Sequence, residues 1–457
     1  MEPLQKRVRI SLFFTILSTL LMQIGFAQNF VSTYAGSVSG FVDGDTSVAK
    51  FAGPFGICID ASDNLYIADA DNNCIRKITS SGIVSTFAGT GIAGYADGAA
   101  NSAQFRAPSD LCIDAAGNIY VSDFENQRIR KIDISGNVST IAGNGNIGYV
   151  DGFYQDAEFD YPRGIVIDSE GNLFISDSWN HRIRKINLTD STVSTFAGGG
   201  TNMGVSSIGD LIDDSDTSAR FYTPSGLAID GDDNIYVADA YNHRIRKITP
   251  DAEVSTIAGS GPIGPGVGGY SNGNALTSLL NTPTEIFVAN DGRLFIGDTY
   301  NYRVRLLEDE ILFNVAGNGE SGYEDGVDSL AEFKFTRGVV LDAAGEHLYV
   351  CDYTNRKIRK ITFNYFTGLE NVISDNYIQI FPNPNNGGFQ INNSEKSRNS
   401  MVNIFDVKGE MIYEKVFINS EIIYIDISGS QPGIYFGKIC YEDVVQRFSV
   451  VISDDQN

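Results

Sequence analysis

Short stretches in which apolar and polar residues alternate recur through most of this chain, and a period of two residues is typical of half-buried β-strands. In the first full unit, residues 56–60 and 64–68 form two such stretches, joined by a turn sequence rich in Asp and Asn. An Asp-x-x-Asn turn at 69–72 then leads into an Ile/Arg stretch, and a Val-Ser-Thr stretch begins at Val84. The unit therefore predicts a four-stranded antiparallel meander.

This unit occurs six times. The Asp of its Asp-x-x-Asn turn recurs every 54 to 62 residues, at Asp69, Asp123, Asp177, Asp239, Asp298 and Asp352. Such regular spacing indicates a repeat architecture, in which each copy is one supersecondary unit that needs its neighbours to bury its apolar face. A length of 457 residues alone would suggest about three domains, but the repeats indicate that most of the chain forms one domain.

The two ends of the repeat array indicate how it closes. The Val-Ser-Thr stretch also occurs once before the first unit, at 31–36, and is missing after the last unit, which ends in the Ile/Arg stretch 356–361. If the N-terminal stretch completes the sixth sheet, six sheets close into a ring without an unpaired edge. An open solenoid would need distinctive capping repeats, and the sequence has none. We therefore predict an all-β, six-bladed propeller sealed by its N-terminal strand.

Three motifs of the repeat carry a resemblance to a known family. They are Pro-x-Gly-Ile-x-Ile-Asp, Gly-Asn-Leu-Tyr-Ile-x-Asp and Asn-x-Arg-Ile-Arg-Lys-Ile, with departures at Asn290, Leu306 and Thr336. In these motifs the chain resembles the NHL-repeat β-propellers. The resemblance implies a binding platform, as in most relatives, or a metal-dependent lyase or lactone hydrolase, as in a few. Fold alone does not choose between these activities.

The N-terminus has the pattern of a signal peptide. Lys6, Arg7 and Arg9 precede an apolar stretch at 10–24, and Gly-Phe-Ala at 25–27 is a small-x-small cleavage sequence. We expect residues 1–27 to be removed. The alternative, a permanent anchor, would require a longer apolar stretch, because about 20 residues are needed to cross a bilayer. No other segment has the sequence of a membrane-spanning helix.

The repeats end near residue 361, and residues 377–457 predict a small β-sandwich with strands at 401–406, 422–427, 433–439 and 447–452. Its Pro-Asn-Pro-x-x-Gly, Asp-x-x-Gly and Pro-Gly-Ile-Tyr motifs resemble the C-terminal sorting domain of the type IX secretion pathway. The resemblance implies contact with that machinery and export across the outer membrane of a Bacteroidetes-type cell. The alternative is an ordinary immunoglobulin-like binding module.

These features predict four segments: a signal peptide at 1–27, the propeller at 28–365, a linker at 366–376 and the sorting domain at 377–457. We expect the sorting domain to be removed by cleavage between Thr362 and Asn376. The protein would then be released or attached to the cell surface.

Composition narrows the classes of partner. The chain has 33 Lys and Arg against 57 Asp and Glu, a net charge of −24, which disfavours nucleic acid because such binding depends on basic side chains. Five scattered Cys predict neither a disulfide framework nor a zinc site, and three His are too few for a three-His metal site in one channel. The acidic segment 210–216 lacks the spacing of an EF-hand loop, so we expect a solvated insertion.

One Arg occupies the same position in every unit, seven residues after the repeat Asp. We expect this Arg and the repeat Asp to be structural, because a buried guanidinium must be hydrogen-bonded and the turn supplies acidic and Asn partners. The six are Arg76, Arg130, Arg184, Arg246, Arg305 and Arg359.

The variable positions are the candidates for ligand binding. In a meander, the Asp-x-x-Asn turns and the long connections between blades emerge on the same face, and long loops on a rigid scaffold commonly carry function. Five of the turns contain an aromatic residue, at Phe124, Trp179, Tyr241, Tyr300 and Tyr353. Charged residues interrupt the start of the innermost strands at Asp110, Arg163, Glu285 and Arg337. Both sets have a simpler explanation without a ligand. The aromatic residues would cover the bases of the loops, and the charged residues would line a water-filled channel.

From these features we expect an exported, monomeric, non-enzymatic protein, secreted or held at the cell surface, that binds a protein or glycan through its long-loop face. We expect no cofactor and no metal site. The alternative function is an extracellular lyase or a lactone or glycan hydrolase at the channel mouth, which would need convergent polar groups that the sequence does not reveal.

Overall fold

The computed structural model describes residues 27–199, 209–364, 378–381, 388–393, 400–405, 411–417, 422–427, 433–441 and 444–452. Contacts divide the chain into two compact units, Met1–Phe366 and Thr367–Asn457. The signal-peptide prediction, apart from Ala27, and the predicted linker at 366–376 lie outside the described residues.

The first unit is an all-β, six-bladed propeller, as predicted. Each blade is an antiparallel meander whose innermost strand contacts the innermost strands of both neighbouring blades all the way round the ring. The innermost strands of blades 1 to 6 are Pro54–Ile59, Pro108–Ile113, Pro162–Ile167, Pro224–Ile229, Pro283–Val288 and Thr336–Leu341. The second strands are Leu65–Asp69, Ile119–Asp123, Leu173–Asp177, Ile235–Asp239, Leu294–Asp298 and His347–Asp352. The third strands are Cys74–Ile78, Arg128–Ile132, Arg182–Asn187, Arg244–Ile248, Arg303–Glu308 and Lys357–Asn364.

The N-terminal strand closes the ring. The fourth strands of blades 1 to 5 are Ile83–Ala88, Asn137–Ala142, Thr192–Ala197, Val254–Ala258 and Ile311–Ala316. In blade 6 this place is taken by Ala27–Ala35, which pairs antiparallel with Lys357–Asn364, with Val31 opposite Ile361. Because Val31 is fully buried, the closure also completes the apolar core of the last blade. The predicted closure is confirmed.

The connections between blades add a feature that the sequence pattern did not predict. In five blades the connection supplies a two-residue strand that pairs with the outermost strand, as Gly44–Asp45 does with Val84 and Ile83. The other four are Gly98–Ala99, Gly152–Phe153, Gly273–Asn274 and Gly326–Val327. Each short strand covers part of an exposed sheet edge, where backbone groups would otherwise be open to pairing with another chain.

The core lies between the blades. Tyr66 of blade 1 packs with Leu111 and Val121 of blade 2 in one cluster, and Phe105 from the connection inserts into it. A buried Phe takes this place before five blades, at Phe51, Phe105, Phe159, Phe221 and Phe333. Blade 5 has the buried Leu280 in the corresponding cluster. The connections are therefore anchored by apolar side chains.

Each described helix is a single 3-10 turn, and none is long or apolar enough to cross a bilayer. Five of them form the Asp-x-x-Asn turns of blades 1 to 5, and the sixth lies in the connection to blade 4. They are Ala70–Asn72, Phe124–Asn126, Ser178–Asn180, Asp216–Ser218, Ala240–Asn242 and Thr299–Asn301.

The second unit contains two antiparallel sheets that share one apolar core, including Phe389, Val402 and Ile423. The predicted sandwich lacked three of its strands, because only four stretches were recognised from the sequence. One sheet consists of Ile378–Phe381, Gly388–Asn393 and Ile422–Asp426. The other consists of Met411–Phe417, Ser400–Phe405, Gly433–Tyr441 and Val444–Ile452.

Candidate functional site

The Asp of each Asp-x-x-Asn turn accepts hydrogen bonds from the backbone before its blade, from the turn Asn and from the repeat Arg. In blade 2, Asp123 Oδ1 accepts a hydrogen bond from the backbone N–H of Arg106 at 2.7 Å. Its Oδ2 accepts from Asn126 Nδ2 at 2.9 Å and from Arg130 Nη1 at 2.7 Å, and Asn126 Nδ2 also donates to the Gly94 carbonyl. The same arrangement occurs in every blade. The structure therefore places the repeat Asp residues inside the scaffold.

The repeat Arg joins the blade to its loop. Arg130 Nη2 donates to Asp97 at 2.6 Å and to the Ala96 carbonyl at 2.8 Å, while Nη1 also donates to the Gln104 carbonyl. The guanidinium lies 5.0 Å from the centre of the Phe105 ring. The other five Arg make equivalent contacts with an acidic residue of the connection, the loop Asp, which is Asp97 in blade 2 and is replaced by Asn272 in blade 5. Because their terminal nitrogens are engaged, these Arg do not form a ring of free anion sites.

The acidic segment 210–216 is mostly exposed, as expected of a solvated insertion, but Asp213 also has a structural role. Its carboxylate accepts from Arg246 Nη2 at 2.6 Å, which makes Asp213 the loop Asp of blade 4. Asp210 contributes its backbone carbonyl to Asn242, as Gly94 does in blade 2. Two of the four Asp residues of this segment, Asp210 and Asp213, thus belong to the repeated scaffold.

Two of the three His residues also connect blades. His181 Nδ1 accepts from the backbone N–H of Thr223 at 3.0 Å, and His243 Nδ1 accepts from Thr282 at 2.9 Å. Asn73 uses its side-chain oxygen in the same way between blades 1 and 2. These rings are therefore part of the scaffold rather than of a metal centre.

The channel mouth lies at the face that carries the turns. The register that sets Pro108 opposite Asp123 places the first residues of the innermost strand beside the Asp-x-x-Asn turn. Arg163 and Arg337 follow the first residue of their strands, and Asp110 and Glu285 occupy the next position on theirs. The structure thus brings the four predicted charged residues to the same end of the channel, with the two carboxyl groups one strand position deeper than the two Arg residues.

The two Arg residues lie among aromatic rings. The Arg337 guanidinium is 4.6 Å from the centre of the Phe55 ring and 5.8 Å from that of Tyr353. The Arg163 guanidinium is 5.2 Å from the Phe124 ring and 6.0 Å from the Phe55 ring. Burial lowers the pKa of both, that of Arg337 to about 10 with a further contribution from Arg163. Both guanidinium groups therefore converge near Phe55.

Two carboxyl groups lie just below. Asp110 and Glu285 are buried, on blades 2 and 5, which are opposite each other in a ring of six. Burial raises the pKa of Asp110 to about 7, and burial together with the Asp110 charge raises the pKa of Glu285 well above its usual value. Asp110 Oδ2 accepts from the backbone N–H of Ile165 at 3.1 Å. Close to neutral pH, this carboxyl pair therefore holds less than its full negative charge.

Below the carboxyl groups the channel is apolar. A cavity of about 200 Å³ is bounded by Asp110 and Glu285 and by aliphatic residues from every blade. They include Ile57, Leu111, Ile165, Leu227, Ile286 and Val339. A charged ligand can therefore be stabilised at the mouth but not deeper in the channel.

The five predicted aromatic residues lie in or beside the turns around this mouth, and each contacts a further aromatic ring. Tyr161 lies between Phe124 and Trp179, with ring centres 4.7 Å and 5.1 Å away. Tyr222 contacts Tyr241, and Phe335 contacts Tyr300, while Phe55 contacts Tyr353. Sequence reasoning missed Tyr161, Tyr222 and Phe335, although each lies one or two residues before an innermost strand.

A larger cavity, of about 590 Å³, lies away from the channel at the outer strands of blades 2 and 3. Its lining includes Tyr95, Arg128 and Phe153. Arg128 stacks 3.9 Å from the centre of the Tyr95 ring and donates to the carbonyls of Asn126 and Asn144. The charged group in this cavity is already paired with the scaffold.

Groups that could act as nucleophiles or metal ligands are sparse in the described part of the chain. No three His, Cys, Asp or Glu residues there are close enough to hold a metal ion together. Burial raises the pKa of the free thiols Cys58, Cys74, Cys112 and Cys351, so these are weak nucleophiles at neutral pH.

The sequence of this chain is similar to those of several known proteins. NHL repeat-containing protein 2 of Bos taurus is 30% identical over 297 residues, which is 58% of this chain and 40% of that protein. The protein SUPPRESSOR OF QUENCHING 1, chloroplastic, of Arabidopsis thaliana is 29% identical over 281 residues, which is 59% of this chain and 26% of that protein. The chain thus matches less than half the length of these relatives.

Solved structures share the fold at lower identity. An auxiliary nutrient binding protein from Bacteroides thetaiotaomicron superimposes with a TM-score of 0.56 at 15% identity, covering 74% of this chain and 77% of that one. A structural genomics protein of unknown function from the same organism gives a TM-score of 0.55 at 21% identity over 74% and 77% of the two chains.

Two family profiles match the chain. Residues 379–453 match the secretion system C-terminal sorting domain, which confirms the predicted export signal. Residues 30–259, half of the chain, match the SMP-30/Gluconolactonase/LRE-like region. The chain therefore belongs to the SMP-30/gluconolactonase/LRE-like family of six-bladed propellers and carries a sorting domain that directs it, through the type IX pathway of Bacteroidetes, to the medium or the cell surface.

Proposed function

We propose that this exported propeller is a binding protein that takes a glycan at the channel mouth. The observation that carries the proposal is the arc of aromatic side chains around that mouth. Two of its members, Trp179 and Tyr300, remain 38% and 49% exposed although their neighbours are packed together. Aromatic faces offer large apolar areas on which the apolar faces of sugar rings stack.

The polar groups near the mouth favour binding over turnover. Ser109 Oγ donates to the Pro162 carbonyl at 3.1 Å, and Thr299 Oγ1 donates to the Thr336 carbonyl at 2.6 Å. These hydroxyl groups donate to backbone carbonyls of the scaffold, and in the part of the chain that the structure describes neither donates to a carboxylate or His that would activate it as a nucleophile. The solved propellers of similar fold that are described as auxiliary nutrient binding proteins are compatible with this proposal.

A second candidate function is an extracellular lyase or a lactone or glycan hydrolase at the same mouth. The observation that favours it is the carboxyl pair of Asp110 and Glu285, because a raised pKa lets a carboxyl group donate or accept a proton near neutral pH. An enzyme of this kind would change its ligand, whereas a binding protein would return it intact.

Binding to a glycan array by the full exported protein tests the proposal, followed by titration of each glycan that binds. We expect the double substitution Trp179→Ala and Tyr300→Ala to weaken binding by at least about tenfold. The matched control is Phe153→Ala, which removes a ring that is 61% exposed at the outer edge of blade 3. Equal loss in the control would contradict a site at the mouth.

The same experiment separates the two candidate functions. The bound glycan is recovered after incubation with and without EDTA and analysed by mass spectrometry. Intact glycan under both conditions supports the binding protein. Cleaved or rearranged glycan supports the enzyme, and its loss in Asp110→Asn or Glu285→Gln would assign the chemistry to the carboxyl pair.

A further inference from the structure

We propose that Arg163 and Arg337 together hold one carboxylate group of the ligand, and that the ligand class is therefore an acidic glycan containing uronic acid. This inference rests on the proposed function, because it specifies which glycan the channel mouth selects. It concerns the Arg pair at the mouth and not the six Arg residues of the scaffold.

The two guanidinium groups come from opposite blades and meet at one aromatic ring. Arg163 comes from blade 3 and Arg337 from blade 6, on opposite sides of the ring, yet both lie within 6.0 Å of the centre of the Phe55 ring. Burial of Arg337 is accompanied by a lowering of its pKa by Arg163, which also indicates that the two cations are close. Two cations held near one point repel each other, and an anion between them removes that repulsion.

Three buried guanidinium nitrogens of this Arg pair have no hydrogen-bond acceptor within the described ranges of the chain. Nε and Nη1 of Arg337 and Nε of Arg163 are buried, and no described residue accepts a hydrogen bond from them. A buried Nε without an acceptor also occurs in scaffold residues such as Arg76 and Arg130, but among the described residues only Arg337 has a buried terminal guanidinium nitrogen without one. Buried charged donors without an acceptor cost free energy, which a ligand oxygen would offset.

The two Arg residues at the mouth form no ion pair with the carboxyl groups below them. In the described structure neither Asp110 nor Glu285 lies within ion-pair distance of an Arg. Burial keeps the pKa of Glu285 well above its usual value and outweighs the charges of Arg337 and Arg163, which lower that pKa. Burial keeps the carboxyl pair partly protonated near neutral pH. Near neutral pH the carboxyl pair therefore offsets the two Arg charges only in part.

The chemistry of the surroundings favours a carboxylate carried by a sugar. The planar guanidinium fork matches the two oxygens of a carboxylate, and the exposed rings of Trp179 and Tyr300 can stack on the sugar that carries it. The aliphatic cavity below excludes a second charged group. A sugar acid presented from the loop face satisfies these conditions together.

Calorimetric titration of the full exported protein tests the inference with three matched ligands: an oligomer of galacturonate, its methyl ester and the neutral galactose oligomer. We expect the galacturonate oligomer to bind at least about tenfold more tightly than the other two. Arg163→Gln and Arg337→Gln should each weaken binding of the galacturonate oligomer more than binding of the neutral oligomer, so that most of the preference is lost. Arg337→Lys, which retains the charge but not the fork, should recover only part of it.

The control variant is Arg106→Gln, which changes an Arg that is exposed and paired with Glu125 near the start of blade 2. It should bind all three ligands as the unmodified protein does. Circular dichroism and the unfolding midpoint establish that each variant is folded.

Other outcomes would overturn the inference in distinguishable ways. Equal affinity for the acidic, esterified and neutral oligomers would refute the carboxylate site but retain the glycan-binding function. Equal competition by inorganic phosphate or by a sulfated galactose oligomer would indicate a general anion site instead of a carboxylate site. Binding of no saccharide at all would refute the proposed function itself, and the inference with it.

Discussion

Arg130 and Asp123, whose side chains are both fully buried in blade 2, form an ion pair with an N–O distance of 2.7 Å. The same guanidinium reaches Asp97 of the preceding connection at 2.6 Å, so one side chain connects the turn, the strand and the loop. Because equivalent pairs occur in all six blades, the loop face is held by a repeated buried network rather than by the loops themselves. This rigidity positions the channel mouth.

Removing the cation of this pair should be costly. Arg130→Met leaves the Asp123 carboxylate buried without its partner, and we expect the free energy of unfolding to fall by about 3–5 kcal/mol. The control is Arg106→Met in the same blade, whose ion pair with Glu125 joins side chains that are 55% and 43% exposed. That variant should lose less than about 1 kcal/mol. Urea denaturation measures both, and similar losses would contradict a special role for the buried pair.

The closing strand provides a second test. Val31 is fully buried opposite Ile361, so Val31→Asp would place a charge in the core of blade 6. We expect a loss of at least about 2 kcal/mol and a lower thermal unfolding midpoint. Phe30→Ser changes the neighbouring side chain, which is 47% exposed, and should cost less than about 1 kcal/mol. An unchanged midpoint in Val31→Asp would show that the ring is stable without this closure.

The sequence was sufficient for the architecture because each feature is repeated. Six copies of one strand pattern, and one Val-Ser-Thr stretch displaced to the N-terminus, predict both the number of blades and the closure. The short edge strands such as Gly44–Asp45 were missed because two residues are too few to show a period. The role of Asp213 was missed because its Arg partner lies in a different part of the unit.

Less of the candidate site than of the fold could be predicted from the sequence. Asp110 and Glu285 are visible as charged residues where the repeat has Gly, but their opposition across the channel follows only from closing the ring. Likewise, the convergence of Arg163 and Arg337 on Phe55 joins three blades that are distant along the chain. Positions that break a repeat can be identified from one sequence, whereas the distances between them depend on tertiary packing.

Gly226 should be required for the Glu285 side of the site. A Cβ atom built at Gly226 would lie 2.7 Å from Glu285 Cα and 2.6 Å from its Cδ, so Gly226→Ala forces the innermost strands of blades 4 and 5 apart. We expect a loss of about 1–3 kcal/mol. The control is Gly231→Ala in the same blade, where a Cβ atom meets nothing within 4 Å. Chemical denaturation compares them, and equal stability would argue against tight packing at the channel.

Asp110→Asn should stabilise the ligand-free protein at high pH but not at low pH. Burial raises the pKa of Asp110 to about 7, against an ordinary value of 3.8. Below both values the carboxyl group is protonated in the folded and unfolded states. As pH rises, the unfolded state ionises first, so the free energy of unfolding falls until the folded carboxyl also ionises near pH 7. Asn keeps the acceptor for Ile165 N–H without this loss, so we expect a gain of about 1–4 kcal/mol at pH 8 and none at pH 3.

The matched control, Asp114→Asn, should change the free energy of unfolding in the opposite direction. Partial burial disfavours ionisation of Asp114, but hydrogen bonds from Asn118, among others, hold its pKa below the usual value. Its ionised form therefore stabilises the folded state above the ordinary pKa, and that contribution disappears as pH falls. Asp114→Asn should thus lower the free energy of unfolding at pH 8 and have a smaller effect at pH 3. Urea denaturation at both pH values gives the comparison, and the same pH trend for both variants would show that burial does not govern the ionisation of Asp110.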